Sequence, residues 1–276
     1  MINENTIPFS VAMCVYGKDN PAWFRQAIDS ILSQSVMPEE IVLVVDGPVP
    51  PELDNEIIRC EQTEGFHVIR LPQNVGHGNA RRVSLENCQY EIVALMDADD
   101  ICVSNRFETQ LEFFKKEQNI SIVGGNIAEF IGTPENIIGY RNVPCDDENI
   151  KIYLKKRCPM NQMTVMFRKK DVENAGGYLD WHCNEDYYLW IRMYLADSRF
   201  ANVSEVLVNV RVGEEMYQRR GGIKYFLSEA RLQTFMLKHK IINVPTYISN
   251  ISKRLIVQVI LPNRLRGWVF QKFARD

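Results

Sequence analysis

The chain has 276 residues, 46% of them apolar and 24% charged, an ordinary composition for one large core or two small ones. The formal charge of −3 conceals a division: residues 217–276 carry 12 Lys and Arg against 2 acids, or +10, while residues 1–216 carry 20 against 33, or −13. No apolar run approaches the roughly 18–20 residues of a membrane span, and seven scattered cysteines without a C-x-x-C pair argue against a disulfide framework or a Cys-rich zinc site.

The predicted elements alternate. Phe9–Tyr16 is a short apolar run that stops at Gly17, as a buried strand does. Pro21–Ser33 has helical spacing, with Trp23, Ala27 and Ile31 on one face and Asp19 or Asn20 as its cap. Glu40–Val45 is a second strand, ending at Asp46-Gly47, and Ile57–Thr63 is the end of another helix. Phe66–Leu71 is a third strand, Gly76–Cys88 a helix, and Glu91–Met96 a fourth strand ending at Asp97. Asn105–Lys116 is helical and Ser121–Gly124 a strand, with a mixed region over 127–164. Thr164–Phe167 is a strand, and Asp186–Leu195 and Gly221–Lys240 are helices. Ile251–Phe273 is an interrupted amphipathic stretch.

Strands alternating with helices predict a parallel sheet covered on both faces, with a ligand beyond the carboxyl ends of the strands. Three strands end in polar groups: Tyr16-Gly17, Asp46-Gly47 and Asp97-Ala98-Asp99-Asp100. Three carboxylates within four residues repel one another, and a divalent cation removes the conflict. Oxygen ligands suit Mg2+ or Mn2+. The plain alternative is a solvated turn. Glu185-Asp186 lies at a helix start, where acids also cap; the same place suits a general base if it faces the metal. Asn74-Val75-Gly76-His77-Gly78-Asn79-Ala80-Arg81-Arg82 combines glycines with cations before a helix, without the P-loop or dinucleotide spacing. Arg211-Val212-Gly213 through Arg219-Arg220-Gly221-Gly222 is a candidate anion-binding loop, or else an exposed turn.

These pieces occur in a familiar order. FSVAMCVYG, AIDSILSQS, EIVLVVDG, LPQNVGHGNARR, ALMDADDICVSNRFETQ, NQMTVMFRK, GGY, NED and RVGEEMYQRRGG cover about residues 8–222. The chain resembles the inverting family-2 glycosyltransferases of the GT-A fold, and among them bacterial enzymes that build O-antigen or exopolysaccharide repeat units. The resemblance implies an α/β GT-A architecture: a Rossmann-like, mostly parallel sheet flanked by helices. The catalytic domain would span 1–222, with a nucleotide half at about 8–125 and an acceptor half at about 126–222. A basic helical extension would follow over 223–276.

The resemblance also implies roles. Tyr16 and Asp46 would contact uracil, and Asn74 and Arg81 would hold the nucleotide of a UDP-sugar donor. Asp97 would lie near ribose and donor sugar. Asp99 would contact Mn2+ or Mg2+, with Asp100 assisting. Asp186 would be the catalytic base, with Glu185 beside it and Gln162 on the acceptor side. Arg219 and Arg220 would close over the diphosphate. The favoured donors are UDP-glucose and UDP-galactose. The acceptor would be a sugar on undecaprenyl diphosphate, and one displacement would give a beta linkage. The Q-x-x-R-W element of processive relatives is absent from the sequence, and Gly213 replaces the histidine of an R-x-H pattern.

The basic tail is expected to meet an anionic membrane, because Tyr225, Phe226, Leu255, Ile256, Trp268 and Phe273 accompany its charges. The alternative is packing on the catalytic domain. Nucleic acid is not expected, since no recognition motif accompanies the charge. With Glu4 where a signal peptide would be basic, the expectation is a cytoplasmic protein, peripheral at the inner face of the membrane. Two other classes stay open at this point. A nucleotidyltransferase would release diphosphate rather than UDP, and a sugar- or membrane-binding module would not need Asp99 and Asp186 together.

Overall fold

The computed structural model describes residues 7–213 and 221–262. Its first half follows the alternation: β1 Phe9–Tyr16, α1 Pro21–Leu32, β2 Glu40–Asp46, α2 Pro51–Glu61, β3 Phe66–Arg70, α3 His77–Asn87 and β4 Ile92–Met96. Asn20 caps α1, its side-chain oxygen accepting the N–H groups of Ala22 (2.9 Å) and Trp23 (3.2 Å). β3, β2, β1 and β4 lie side by side and parallel. Successive side chains on β1 point to opposite faces. Val11, Met13 and Val15 enter a core with α1, α2 and α4, while Ala12 enters a second core on the other face.

The second half departs from a purely parallel sheet. It runs β5 Ile101–Cys102, α4 Arg106–Lys116, β6 Ile122–Phe130, β7 Ile137–Arg141, α5 Asp147–Leu154, a 3-10 turn Gln162–Thr164, β8 Met166–Arg168, α6 Lys169–Asn174, α7 Glu185–Leu195 and β9 Phe200–Arg211. β8 sits antiparallel between β4 and β6, and the order continues β6-β9-β5 with β7 paired to β6. The parallel rule assumes a helical crossover between neighbouring strands. Here the antiparallel β6–β7 pair reverses the chain before α5, so β8 returns in the direction of β7, opposite to β6.

β9, twelve residues long, carries no element in the sequence reading. Its pairing with β6 shifts register at Gly125, Asn126 and Ile127. The bulge interrupts the period of two that marks a strand.

α8 Ile223–Lys238 and α9 Val244–Leu255 follow, and a π-helical turn Ile256–Ile260 is the last element among the described residues. Leu232, Met236, Ile241 and Ile242 join the second core, with Trp190 of α7. The tail is therefore docked by its first helix. Ile223, Leu227, Val244, Ile248 and Ile260 are each more than half exposed. No helix among the described residues is long and apolar enough to cross a membrane.

Candidate active site

The carboxyl ends of β1, β2 and β4 open onto a cavity of about 540 Å3, lined by Tyr16, Asp19, Asp46, Asn74, Asp97 and Asp99. Asp19 closes the turn after β1 by accepting the Tyr16 N–H (2.9 Å). Asp46 is buried at the end of β2. Its two oxygens accept the N–H groups of Val75 (2.7 Å) and Gly76 (3.2 Å), while Asn74 Nδ2 donates to its carbonyl (3.2 Å). Each carboxylate oxygen has a second lone pair available to a ligand. The two loops meet tightly. A Cβ on Gly47, whose φ is +86°, would stand 2.6 Å from the Asn74 nitrogen.

Asp97, Asp99 and Asp100 separate into different environments. Asp97 pairs with Arg81 Nη2 and lines the cavity. Asp99 lines the cavity too. Asp100 is buried and accepts the Arg211 N–H (2.9 Å), while Arg211 Nε donates to the Asp99 carbonyl (3.2 Å). Burial, then the charges of Asp99 and Asp97, pushes the Asp100 carboxyl well above its usual range. Asp100 thus anchors the turn, and Arg211 is the pin that holds it. Burial and the negative charges of Asp99 and Asp97 also raise Asp19 to about 6. A hard divalent cation fits this crowding, because it removes the repulsion among Asp19, Asp97 and Asp99. No group of three His, Cys, Asp or Glu side chains among the described residues forms a ready-made metal cage.

A second cavity, about 550 Å3, adjoins the first; His77, Asp97, Cys183 and Glu185 line both. It holds Asp186 and Gln162, the latter opening the 3-10 turn. Glu185 and Asp186 begin α7 side by side but do different things. Glu185 Oε1 lies 2.6 Å from His77 Nδ1, and Arg81 Nε donates to His77 Nε2 (3.1 Å). The accepting role of Nε2 places the His77 proton on Nδ1, directed at Glu185. Burial alone would raise the Glu185 carboxyl, but the His77 contact and Arg81 outweigh it and hold it below its usual range. The chain Glu185, His77, Arg81, Asp97 thus ties one cavity to the other. Gly78 permits the approach, since its Cα lies where a Cβ would meet Glu185 Cβ at 3.3 Å.

Asp186 is the opposite case. Burial and the neighbouring Glu185 charge raise it to about 6, although the Tyr187 N–H donates to its Oδ1 (2.6 Å). That value leaves it ionised at neutral pH and still basic enough to accept a proton. A reaction that used Asp186 as its base would show an acid limb of kcat/KM near pH 6, with activity rising as Asp186 loses its proton. An Asp19→Asn variant should keep that limb; a limb that moved with Asp19 would assign it to the first cavity. Cys14 and Cys158 line the two cavities, and burial pushes both thiols up to about 12. Neither is poised as a nucleophile.

A family model described as Glycosyl transferase family 2 matches residues 10–174, more than half of the chain. The chain belongs to glycosyltransferase family 2. An uncharacterised glycosyltransferase of Haemophilus influenzae is 39% identical over 273 residues, covering 97% of this chain and 99% of the relative. A UDP-Gal:alpha-D-GlcNAc-diphosphoundecaprenol beta-1,3-galactosyltransferase of Escherichia coli is 33% identical, covering 99% of each chain. Among solved structures, S. aureus TarS 1-349 in complex with UDP-GlcNAc matches at a TM-score of 0.67 and 15% identity, covering 96% of this chain and 76% of the other. A Pyrobaculum calidifontis mannosyltransferase in complex with GDP-Man and Mn2+ matches at 0.63 and 13%, covering 95% and 72%. These structural likenesses establish the GT-A-like fold.

Most of the residues singled out in the transferase's sequence line these cavities. Tyr16, Asp46, Asn74 and Asp99 line the first, Asp186 and Gln162 the second, and Asp97 and Glu185 both. Arg81 is buried behind His77 and Asp97 rather than open to a ligand. Asp100 faces Arg211. Arg219 and Arg220 lie outside the described residues. The sequence reading gives no role to His77 and makes Asp19 only a cap. Asp19 sits three residues past a strand end that is already polar, and His77 begins a helix after Gly76; those positions were the available signals.

Proposed function

We propose that this transferase moves one hexose from UDP-glucose or UDP-galactose to a lipid-diphosphate-linked sugar, in O-antigen or exopolysaccharide repeat-unit assembly, with inversion to a beta linkage. One observation carries the reading: two cavities of opposite charge share a wall, with Glu185 at their boundary and Asp186 next to it on the second. A donor in the acidic cavity and an acceptor in the other would meet there. The named activity of the Escherichia coli relative supports the donor and the acceptor class.

In this reading Asp46 and Tyr16 receive the base, and Asn74 borders it. Arg81 fixes Asp97 beside the donor sugar. Asp99 with Asp97 would hold Mn2+ or Mg2+, which supplies charge neutralisation for the departing diphosphate. Asp186 accepts the proton of the acceptor hydroxyl as that oxygen attacks the anomeric carbon. The bond to UDP breaks on the opposite face, and its electron pair leaves with the diphosphate. Glu185 stays ionised against His77 and keeps Asp186 the more basic of the pair. Arg219 and Arg220, which lie outside the described residues, are proposed to bind the donor diphosphate. Incubating the protein with UDP-sugars and a synthetic N-acetylhexosamine diphosphate lipid tests the reading. Release of UDP matched by a lengthened acceptor is expected; release of inorganic diphosphate would overturn it.

The tail supports residence at the inner face of an anionic membrane. Its apolar side chains at 244, 248, 256 and 260 are exposed, and Lys253 is exposed among them. Ile248→Asp with Ile260→Asp should abolish sedimentation with phosphatidylglycerol vesicles while leaving transfer to a short-chain acceptor intact. Unchanged sedimentation would remove the tail from this role.

A further inference from the structure

We propose that the second cavity carries a metal-independent diphosphate subsite for the acceptor, walled by Lys156 and Arg157 beyond α5 and by Lys253 of α9. It rests on the transferase reading and adds to it where the acceptor's charged group is held. The two cavities face a diphosphate with opposite charge. The first presents Asp19, Asp46, Asp97 and Asp99, so a diphosphate there calls for a cation. The second presents Arg141, Lys156, Arg157, Lys253 and Arg254.

Its carboxylates offset only part of that charge. Glu229 is taken up by Arg254 (2.7 Å), Glu185 by His77 and Asp97 by Arg81. Asp186 is left as the reacting base. Arg141 also lines the cavity, but its Nη1 and Nη2 are held by Asn161 Oδ1 (2.6 Å) and the Cys158 carbonyl (2.8 Å), so it adds positive charge to the wall rather than a free donor. Lys156 and Lys253 are exposed and make no ion pair with a carboxylate among the described residues. Lysines so placed act as point charges for phosphate.

Two distant segments of chain make this wall only because α9 is fastened to the end of α5. Asn250 Nδ2 donates to the Lys155 carbonyl (2.9 Å), and Arg254 Nη2 donates to the Lys156 carbonyl (2.9 Å). The following π-helical turn has two faces. Val257 and Gln258 line the cavity, while Ile256, Val259 and Ile260 are exposed. A diphosphate at Lys253 would therefore lie beside an apolar strip suited to the lipid attached to it. The basic tail is thereby a wall of the acceptor cavity as well as a surface.

The test is a comparison of two acceptors with the full-length protein: N-acetylhexosamine on a short alkyl diphosphate, and the same sugar on an uncharged alkyl glycoside. Lys156→Glu combined with Lys253→Glu should raise KM for the diphosphate acceptor by roughly 10–100-fold, the size of losing contacts between charged groups. KM for the UDP-sugar, Tm and activity on the alkyl glycoside should stay at wild-type values, and Lys→Arg at both positions should restore KM. A rise in donor KM would assign the cations to the UDP-sugar, and an equal rise for both acceptors would make their role structural. Loss of anionic-vesicle binding with KM unchanged would assign them to lipid headgroups. Each of these overturns the subsite. If the wild type transfers to neither acceptor, calorimetry with the diphosphate acceptor in chelator separates the two readings. Binding that the double variant loses keeps the subsite and sinks the transferase reading; no binding sinks the subsite itself.

Discussion

Asp186→Asn is expected to reduce transfer by about 10²–10⁴-fold, the usual worth of a positioned general base. The substitution keeps the shape and can still accept the Tyr187 N–H that now bonds Oδ1. What it loses is the capacity to take a proton. Donor binding should be unchanged, because Asp186 lines only the second cavity. The neighbouring Glu185→Gln should behave differently. It exchanges an ionised partner of His77 for a neutral one, so the Glu185, His77, Arg81, Asp97 chain loosens and the donor side is disturbed as well. Rate constants with saturating donor, and UDP affinity by calorimetry, distinguish the two variants. Wild-type turnover by Asp186→Asn would mean that the proton goes elsewhere.

Asp99→Ala is expected to lower activity at fixed Mn2+ by about 10²-fold or more, the scale on which lost transition-state charge stabilisation is felt. Mn2+ affinity measured with UDP present should fall with it. Asp100→Asn provides the contrast. Its carboxyl is buried, raised well above its usual range, and committed to the Arg211 N–H. An amide oxygen can accept that bond, so metal affinity should hardly change. Equal loss of Mn2+ affinity in both variants would place Asp100 at the metal as well.

The first half was legible because β1, β2 and β4 are buried on both faces and the helices between them are amphipathic, so both patterns stand out. Strand ends rich in Asp and Gly then located the first cavity. The second half was harder. β9 hides behind a bulge, and its interior carries Asn202, Ser204, Glu205 and Asn209. β8 is three residues long, too short to show its direction. The base could be picked out of Glu185-Asp186 only by resemblance. The structure adds the physical difference between them: one carboxyl meets a histidine from α3, 108 residues away, and the other does not. The charge asymmetry was visible at once, but its placement was not. Nothing local in the sequence brings Lys253 to Lys156; side-chain bonds to the Lys155 and Lys156 carbonyls do so.

The most direct test of single displacement with Asp186 as base is the anomeric configuration of the product. NMR of material made from an alpha-linked UDP-hexose and a synthetic diphosphate-linked acceptor should show a beta bond at the new linkage. An alpha bond would require two displacements or front-face attack, and would contradict the account.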